Sequence, residues 1–69
     1  MKNNLKKLRK EKGLRQEDLA NLLSVSRQTI IAIENGKYNP SLLLALKIAQ
    51  IFDKPVEAIF ELEKEYNLS

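Results

Sequence analysis

The apolar periodicity of this chain breaks after Leu23 for only three residues, Ser24-Val25-Ser26, and resumes at Arg27. So short a gap leaves no room for a strand, and the segments on either side read as two helices joined by a tight turn. Ser26 can cap the second of these helices by accepting hydrogen bonds from backbone N–H groups in its first turn. Gly36 supplies the left-handed residue that ends it. The pair is thus expected over residues 16–23 and 27–35.

The same punctuation divides the rest of the chain. Leu5 and Leu8 recur at helical spacing and Gly13 stops that segment, which predicts a first helix over about 3–12. In residues 16–23, Leu19, Ala20, Leu22 and Leu23 carry the apolar positions, and Glu17 and Asp18 stand in the first turn, where carboxylates complement the helix dipole. Pro40 blocks continuation of the third helix. Ser41 caps a fourth over about 42–52, with Leu44, Ala45, Ile48, Ala49 and Phe52 as a broad apolar stripe. Pro55 suits the first position of a short fifth helix, 55–60. The expected fold is all-α, one five-helix domain over residues 1–60, followed by an acidic tail over 61–69. There is no internal repeat, low-complexity stretch or linker-like segment.

Composition narrows what such a domain can do. A chain of 69 residues buries only about 60% of its unfolded surface, which leaves a small core and little space for an enclosed active site. It has no cysteine and no histidine, which removes disulfides, thiolate metal sites and the commonest general base and metal ligand. The acidic residues occur mostly in helix first turns or in the tail, without a pair facing a cleft, and no Gly-rich phosphate loop is present. An enzyme, a cofactor, a metal and a small-molecule ligand are therefore not expected. Residues 1–12 lack the apolar core of a signal peptide, and no apolar run approaches the roughly 20 residues that span a bilayer. A soluble cytoplasmic protein without a membrane partner is the expectation.

Charge is distributed unevenly. Residues 1–16 hold seven basic side chains and one acidic (+6), residues 17–52 three of each (0), and residues 53–69 two basic and five acidic (−3). Such asymmetry suits a surface that draws a polyanion to one side, although a basic amphipathic helix face in solvent has the same composition.

Advancing the third helix by 100° per residue places Ile30 and Ile33 together, with Gln28, Ile31, Ala32 and Asn35 on the opposite side. One face belongs to the core. The other is poorly charged for a solvated helix, and its mixture of amide, methyl and guanidinium groups suits base edges in a major groove: arginine pairs with guanine, glutamine with adenine, and aliphatic groups touch thymine methyls. Arg27 and Gln28 occupy the first turn, the part that enters the groove most deeply. Ile31 and Ala32 could equally pack on the fourth or fifth helix or at a protein interface.

The stretches "LKKLRKEKGLRQEDLANLLSVSRQTIIAIENGKYNP" and "LALKIAQIFDKPVEAIF" carry Gln16, Leu19-Ala20, Val25-Ser26, Ile30, Ile33-Glu34-Asn35-Gly36 and Pro40. In these residues the chain resembles the Cro/C1-type (Xre-like) helix-turn-helix transcription regulators, over about residues 4–60. The resemblance implies a lambda-repressor-like five-helix domain that binds double-stranded DNA as a homodimer on a partly palindromic operator, with the motif at about 16–35. It places Ser26, Arg27, Gln28, Ile31 and Ala32 at base edges or adjacent phosphates. Gln16, Asn35, Lys37, Tyr38 and Asn39 fall beside the DNA backbone, and Arg9 and Glu34 at positions that often form an ion pair between the first and third helices. As an exposed pair that bridge would contribute only about 0–1 kcal/mol. Two residues depart from the pattern: Arg15 stands where a Ser or Thr cap is common, and Ala32 offers only a methyl where a polar side chain is frequent.

In the tail, Phe60, Leu62 and Tyr66 alternate with Glu61, Glu63 and Glu65, as in a half-buried strand, while Ile59, Leu62 and Tyr66 also satisfy helical spacing. Short members of the resembled family can add a terminal strand that helps dimerise, and a strand is the expectation here. The implied function is a sequence-specific regulator, a repressor with the third helix in the major groove. The alternative is an antitoxin-like module of the same fold that binds a protein.

Overall fold

The computed structural model describes residues 1–62. Among these the order is β1 (Lys2–Asn3), α1 (Leu5–Glu11), α2 (Gln16–Leu23), α3 (Arg27–Glu34), α4 (Leu42–Phe52), α5 (Val56–Ile59) and β2 (Phe60–Glu61). The five helices stand where the punctuation places them, with ends that differ by one or two residues.

The largest difference is at the N-terminus. Lys2 and Asn3 do not begin α1 but pair antiparallel with β2, Lys2 opposite Glu61 and Asn3 opposite Phe60. Asn3 explains the change: its Oδ1 accepts the Leu5 N–H at 3.1 Å, so the amide serves the helix from outside, where asparagine is favoured. The next residue seals the junction, with the Asn4 N–H donating to the Ile59 carbonyl at 2.9 Å. The tail strand therefore begins at Phe60, as its alternation suggests, but Phe60 and Glu61 take their partner from the same chain. Tyr66 and the remainder of the expected dimerisation strand lie outside the described residues.

The turn after α2 is short because two helix-end devices abut. Ser24 adopts the left-handed conformation (φ 57°, ψ 42°), and the Val25 N–H returns to the Ala20 carbonyl at 3.0 Å, closing the end of α2. Ser26 is already extended (φ −77°, ψ 157°), and its Oγ accepts the Thr29 N–H at 3.1 Å to start α3. Ser41 starts α4 the same way, accepting from the Leu44 N–H at 3.2 Å.

Six side chains have virtually no exposed surface: Leu5, Leu19, Ile30, Ile33, Ile48 and Ile59. Every helix supplies at least one. The core thus lies where all five helices converge, and α3 contributes both of its isoleucines to it.

Candidate nucleic-acid interface

Burial of Ile30 and Ile33 fixes the rotation of α3. With those two inside, Arg27 and Gln28 are exposed in the first turn, as are Ser26 ahead of it and Asn35 at its end. Ile31 and Ala32, expected to lie open beside them, are instead half-buried. The turn that follows runs close by: the Lys37 and Tyr38 N–H groups both donate to the Ala32 carbonyl, at 2.9 and 3.2 Å, folding the chain back beside the last turn of α3. The outward face is consequently most open at its N-terminal end. Ser26 reaches that end with its hydroxyl engaged, bonded to the Thr29 N–H and 2.9 Å from the Thr29 hydroxyl.

Lys37, Tyr38 and Asn39 lie exposed just past Gly36. Gly36 has φ +72°, a conformation costly for any residue with a side chain, and a Cβ there would stand 3.1 Å from the Met1 carbonyl oxygen. The N-terminus therefore touches the rim of this surface. Its ammonium donates to the Gly36 carbonyl at 3.3 Å.

Behind the face, Arg9 and Glu34 meet in the interior. Arg9 Nε donates to Glu34 Oε2 at 2.6 Å, Arg9 Nη2 to Oε1 at 3.3 Å, and Arg9 Nη1 to the Leu14 carbonyl at 2.8 Å. The side chains are only 8% and 3% exposed, so the small value of a surface pair does not apply. Gln16 joins them, its Nε2 donating to Glu34 Oε1 at 3.2 Å. Gln16 is thus partly spoken for. One amide N–H and its carbonyl oxygen are left for another partner.

Arg15, which has no acceptor to cap α2, is accommodated differently. Asp18 reaches back to accept the Arg15 backbone N–H at 2.8 Å, and the guanidinium closes on the same carboxylate at 3.1 and 3.0 Å. Those hydrogen bonds hold the Asp18 carboxyl below its ordinary range and raise the Arg15 guanidinium. Arg9, Arg15, Gln16, Glu17 and Arg27 line one surface depression where the starts of α2 and α3 come together. Arg9 is closed on Glu34 there and Arg15 on Asp18, which leaves Arg27 as the exposed guanidinium at the depression for which the described residues supply no partner.

Three contributors escaped the reading of the sequence. Thr29 shares the cap with Ser26, and the three-residue spacing was the available signal. Asp18, which the sequence presents as a dipole partner, also stands three residues after Arg15, the spacing of half a capping box. Asn3 links β1 to α3 by donating from Nδ2 to the Ile33 carbonyl at 2.8 Å, and nothing local announces a contact across 30 positions. Among the described residues no group of acidic side chains is arranged to hold a metal, and no helix is long and apolar enough to cross a membrane.

Known proteins share this arrangement. A helix-turn-helix family model matches residues 5–59. An uncharacterized HTH-type transcriptional regulator of Methanocaldococcus jannaschii is 60% identical over 65 residues, which are 94% of this chain and 98% of the relative. A more distant relative is the cryptic phage CTXphi transcriptional repressor RstR of Vibrio cholerae, 35% identical over 52 residues, 75% of this chain and 47% of that one. Among solved structures, the restriction-modification controller protein C.AhdI from Aeromonas hydrophila superposes with a TM-score of 0.72 at 39% identity, covering 81% of this chain and 85% of that one.

Proposed function

Because this chain belongs to the helix-turn-helix family of transcriptional regulators, which are not enzymes, we propose that it binds double-stranded DNA sequence-specifically as a homodimer with α3 in the major groove. The single observation that carries this reading is the rotation of α3, which buries Ile30 and Ile33 completely while Arg27 and Gln28 stand in solvent.

Base reading falls to the exposed start of the helix. Arg27 suits guanine and Gln28 adenine, with Ser26 contributing its oxygen where the cap leaves it open; Ile31 and Ala32, half-buried, offer methyl contact at the margin. Gln16, Asn35, Lys37, Tyr38 and Asn39 face the backbone of the duplex and set register. Gln16 and Arg27, on the rim of one depression, give a phosphate a seat on one side of α3, and the turn at Lys37 gives it one on the other.

Two copies related by a twofold axis would set their reading helices about 34 Å apart, one turn of B-DNA, which matches a partly palindromic operator. Repression then follows from occupancy, because a dimer seated on a promoter excludes polymerase. The similarity to RstR, a transcriptional repressor, supports that sign of regulation. A regulator of this kind meets its operator in the cytoplasm, which is where the reading puts this protein.

Leu42, Leu43 and Leu46 on the outer face of α4 are 73%, 64% and 48% exposed, which favours protein contact as a second reading, the antitoxin-like module. Salt titration separates the two. Regulator binding weakens steeply with salt, and Lys37→Ala flattens the slope by about one unit. A protein-interaction module without DNA binding shows no such dependence on a duplex.

A further inference from the structure

The carbonyl that ends α3 has two partners, and only one belongs to the helix stop. Ile33 O accepts the Gly36 N–H at 2.9 Å, as the turn requires, and also accepts Asn3 Nδ2 at 2.8 Å. Asn3 is held for this contact from both sides. Its Oδ1 is anchored by the Leu5 N–H at the head of α1, and its backbone lies opposite Phe60 in the two-stranded sheet. The next carbonyl in reach is gripped from the same segment, since the Met1 nitrogen donates to Gly36 O. Beyond Gly36 the chain enters Lys37, Tyr38 and Asn39; the Lys37 and Tyr38 N–H groups return to the Ala32 carbonyl, and nothing from α4 or α5 bonds to them.

We propose that Asn3 is a positioning residue for DNA binding: without touching the duplex, it fixes the Gly36–Asn39 turn relative to α1 and to the outward face of α3. The last carbonyls of a helix lack helical donors and fray unless something outside holds them. A carbonyl oxygen has two lone pairs, so the Asn3 amide adds to the Gly36 bond without competing with it. The result ties the turn to β1, and through β1 to β2 and the C-terminal end of the domain. The proposal rests on the DNA-binding reading above, but its structural half concerns the free protein.

Asn3→Asp is the discriminating variant. It keeps the Oδ1 acceptor for the Leu5 N–H and sets an oxygen, in place of the donor, against Ile33 O. Asn3→Ala removes both functions and adds no charge. In the full chain, amide hydrogen exchange at Gly36, Lys37 and Tyr38 is measured against amides of α4, together with affinity per folded molecule for the duplex that the parent prefers, at low and high salt. Both variants should speed exchange at those three amides about tenfold relative to α4 and weaken DNA binding about tenfold, the effect of one lost hydrogen bond at a helix end. The Asn3→Asp loss should persist at high salt, where an added charge is screened. Unchanged exchange in Asn3→Asp, or a loss of affinity that high salt abolishes, would overturn the proposal. If the parent holds every duplex equally, the DNA-binding reading fails instead, and the exchange rates still report whether Asn3 holds the turn.

Discussion

Arg9 and Glu34 stand 25 positions apart and meet at 2.6 Å between Nε and Oε2, with both side chains nearly closed to solvent. That pair joins α1 to α3, and through Glu34 it also reaches Gln16 at the start of α2. One carboxylate therefore orients three of the helices that build the proposed DNA surface.

Glu34→Ala leaves the Arg9 guanidinium buried without its counter-charge and should cost about 3 kcal/mol. For a domain of this size that is a large share of the total, so the variant should unfold at much lower urea than the parent. Replacing both residues together by apolar side chains of similar volume should restore most of the loss, because the interior then holds no charge to desolvate. A double variant no more stable than the single one would show that the pair serves packing instead of charge compensation.

How much of this was open to reading from the sequence depends on distance along the chain. The turn between α2 and α3 was legible because Ser24-Val25-Ser26 encodes both helix ends within three residues. The core faces followed from the helical repeat of leucines and isoleucines. The contact of β1 with β2 was not legible, since two-residue strands have no pattern to detect and their pairing joins the two ends of the domain. The same limit hid Asn3, whose partners lie on α1 and α3. The value given to the Arg9 and Glu34 pair was off for a related reason: burial is set by the packing of α1 against α3, and no local pattern records it. Likewise Ile31 and Ala32 sit on the outward side of the wheel, yet both are half-buried next to a turn whose N–H groups return to the Ala32 carbonyl.

Gly13 and Gly36 offer a matched comparison. They have nearly the same φ, +70° and +72°, but open space surrounds the first while the second faces the Met1 carbonyl at 3.1 Å. Substitution by alanine should cost each roughly 1–2 kcal/mol for the left-handed backbone. Gly36→Ala should lose roughly 1 kcal/mol more by crowding Met1. Thermal unfolding of the two variants reads the difference directly, and equal losses would mean that the N-terminus yields without cost.

The Asp18 carboxyl is held below its ordinary value of 3.8, chiefly by its hydrogen bond with the Arg15 side chain. A lowered folded pKa means that the unfolded chain binds the proton more readily. The stabilisation is therefore complete well above pH 3.8 and is lost as pH falls through the lower folded value. Asp18→Asn should lower the urea midpoint at neutral pH, and the gap to the parent should close on acidification below about pH 4. A gap independent of pH would indicate that charge plays no part in starting α2.

Arg27→Ala and Gln28→Ala should each cost about 1–3 kcal/mol of binding and relax preference at one base pair, while leaving the fold intact, because both side chains lie in solvent. Competition among duplexes that differ at single positions measures it. A uniform loss on all of them would move that residue from the bases to the phosphates.

Selection of bound duplexes from a random pool, at stated salt, tests most directly whether the outward side of α3 reads base pairs. Expected is enrichment of one partly palindromic sequence, its half-sites centred about 10 base pairs apart, and loss of that enrichment at single positions in Arg27→Ala and Gln28→Ala. Recovery of the pool unchanged after repeated rounds, with binding that depends on salt alone, would contradict it.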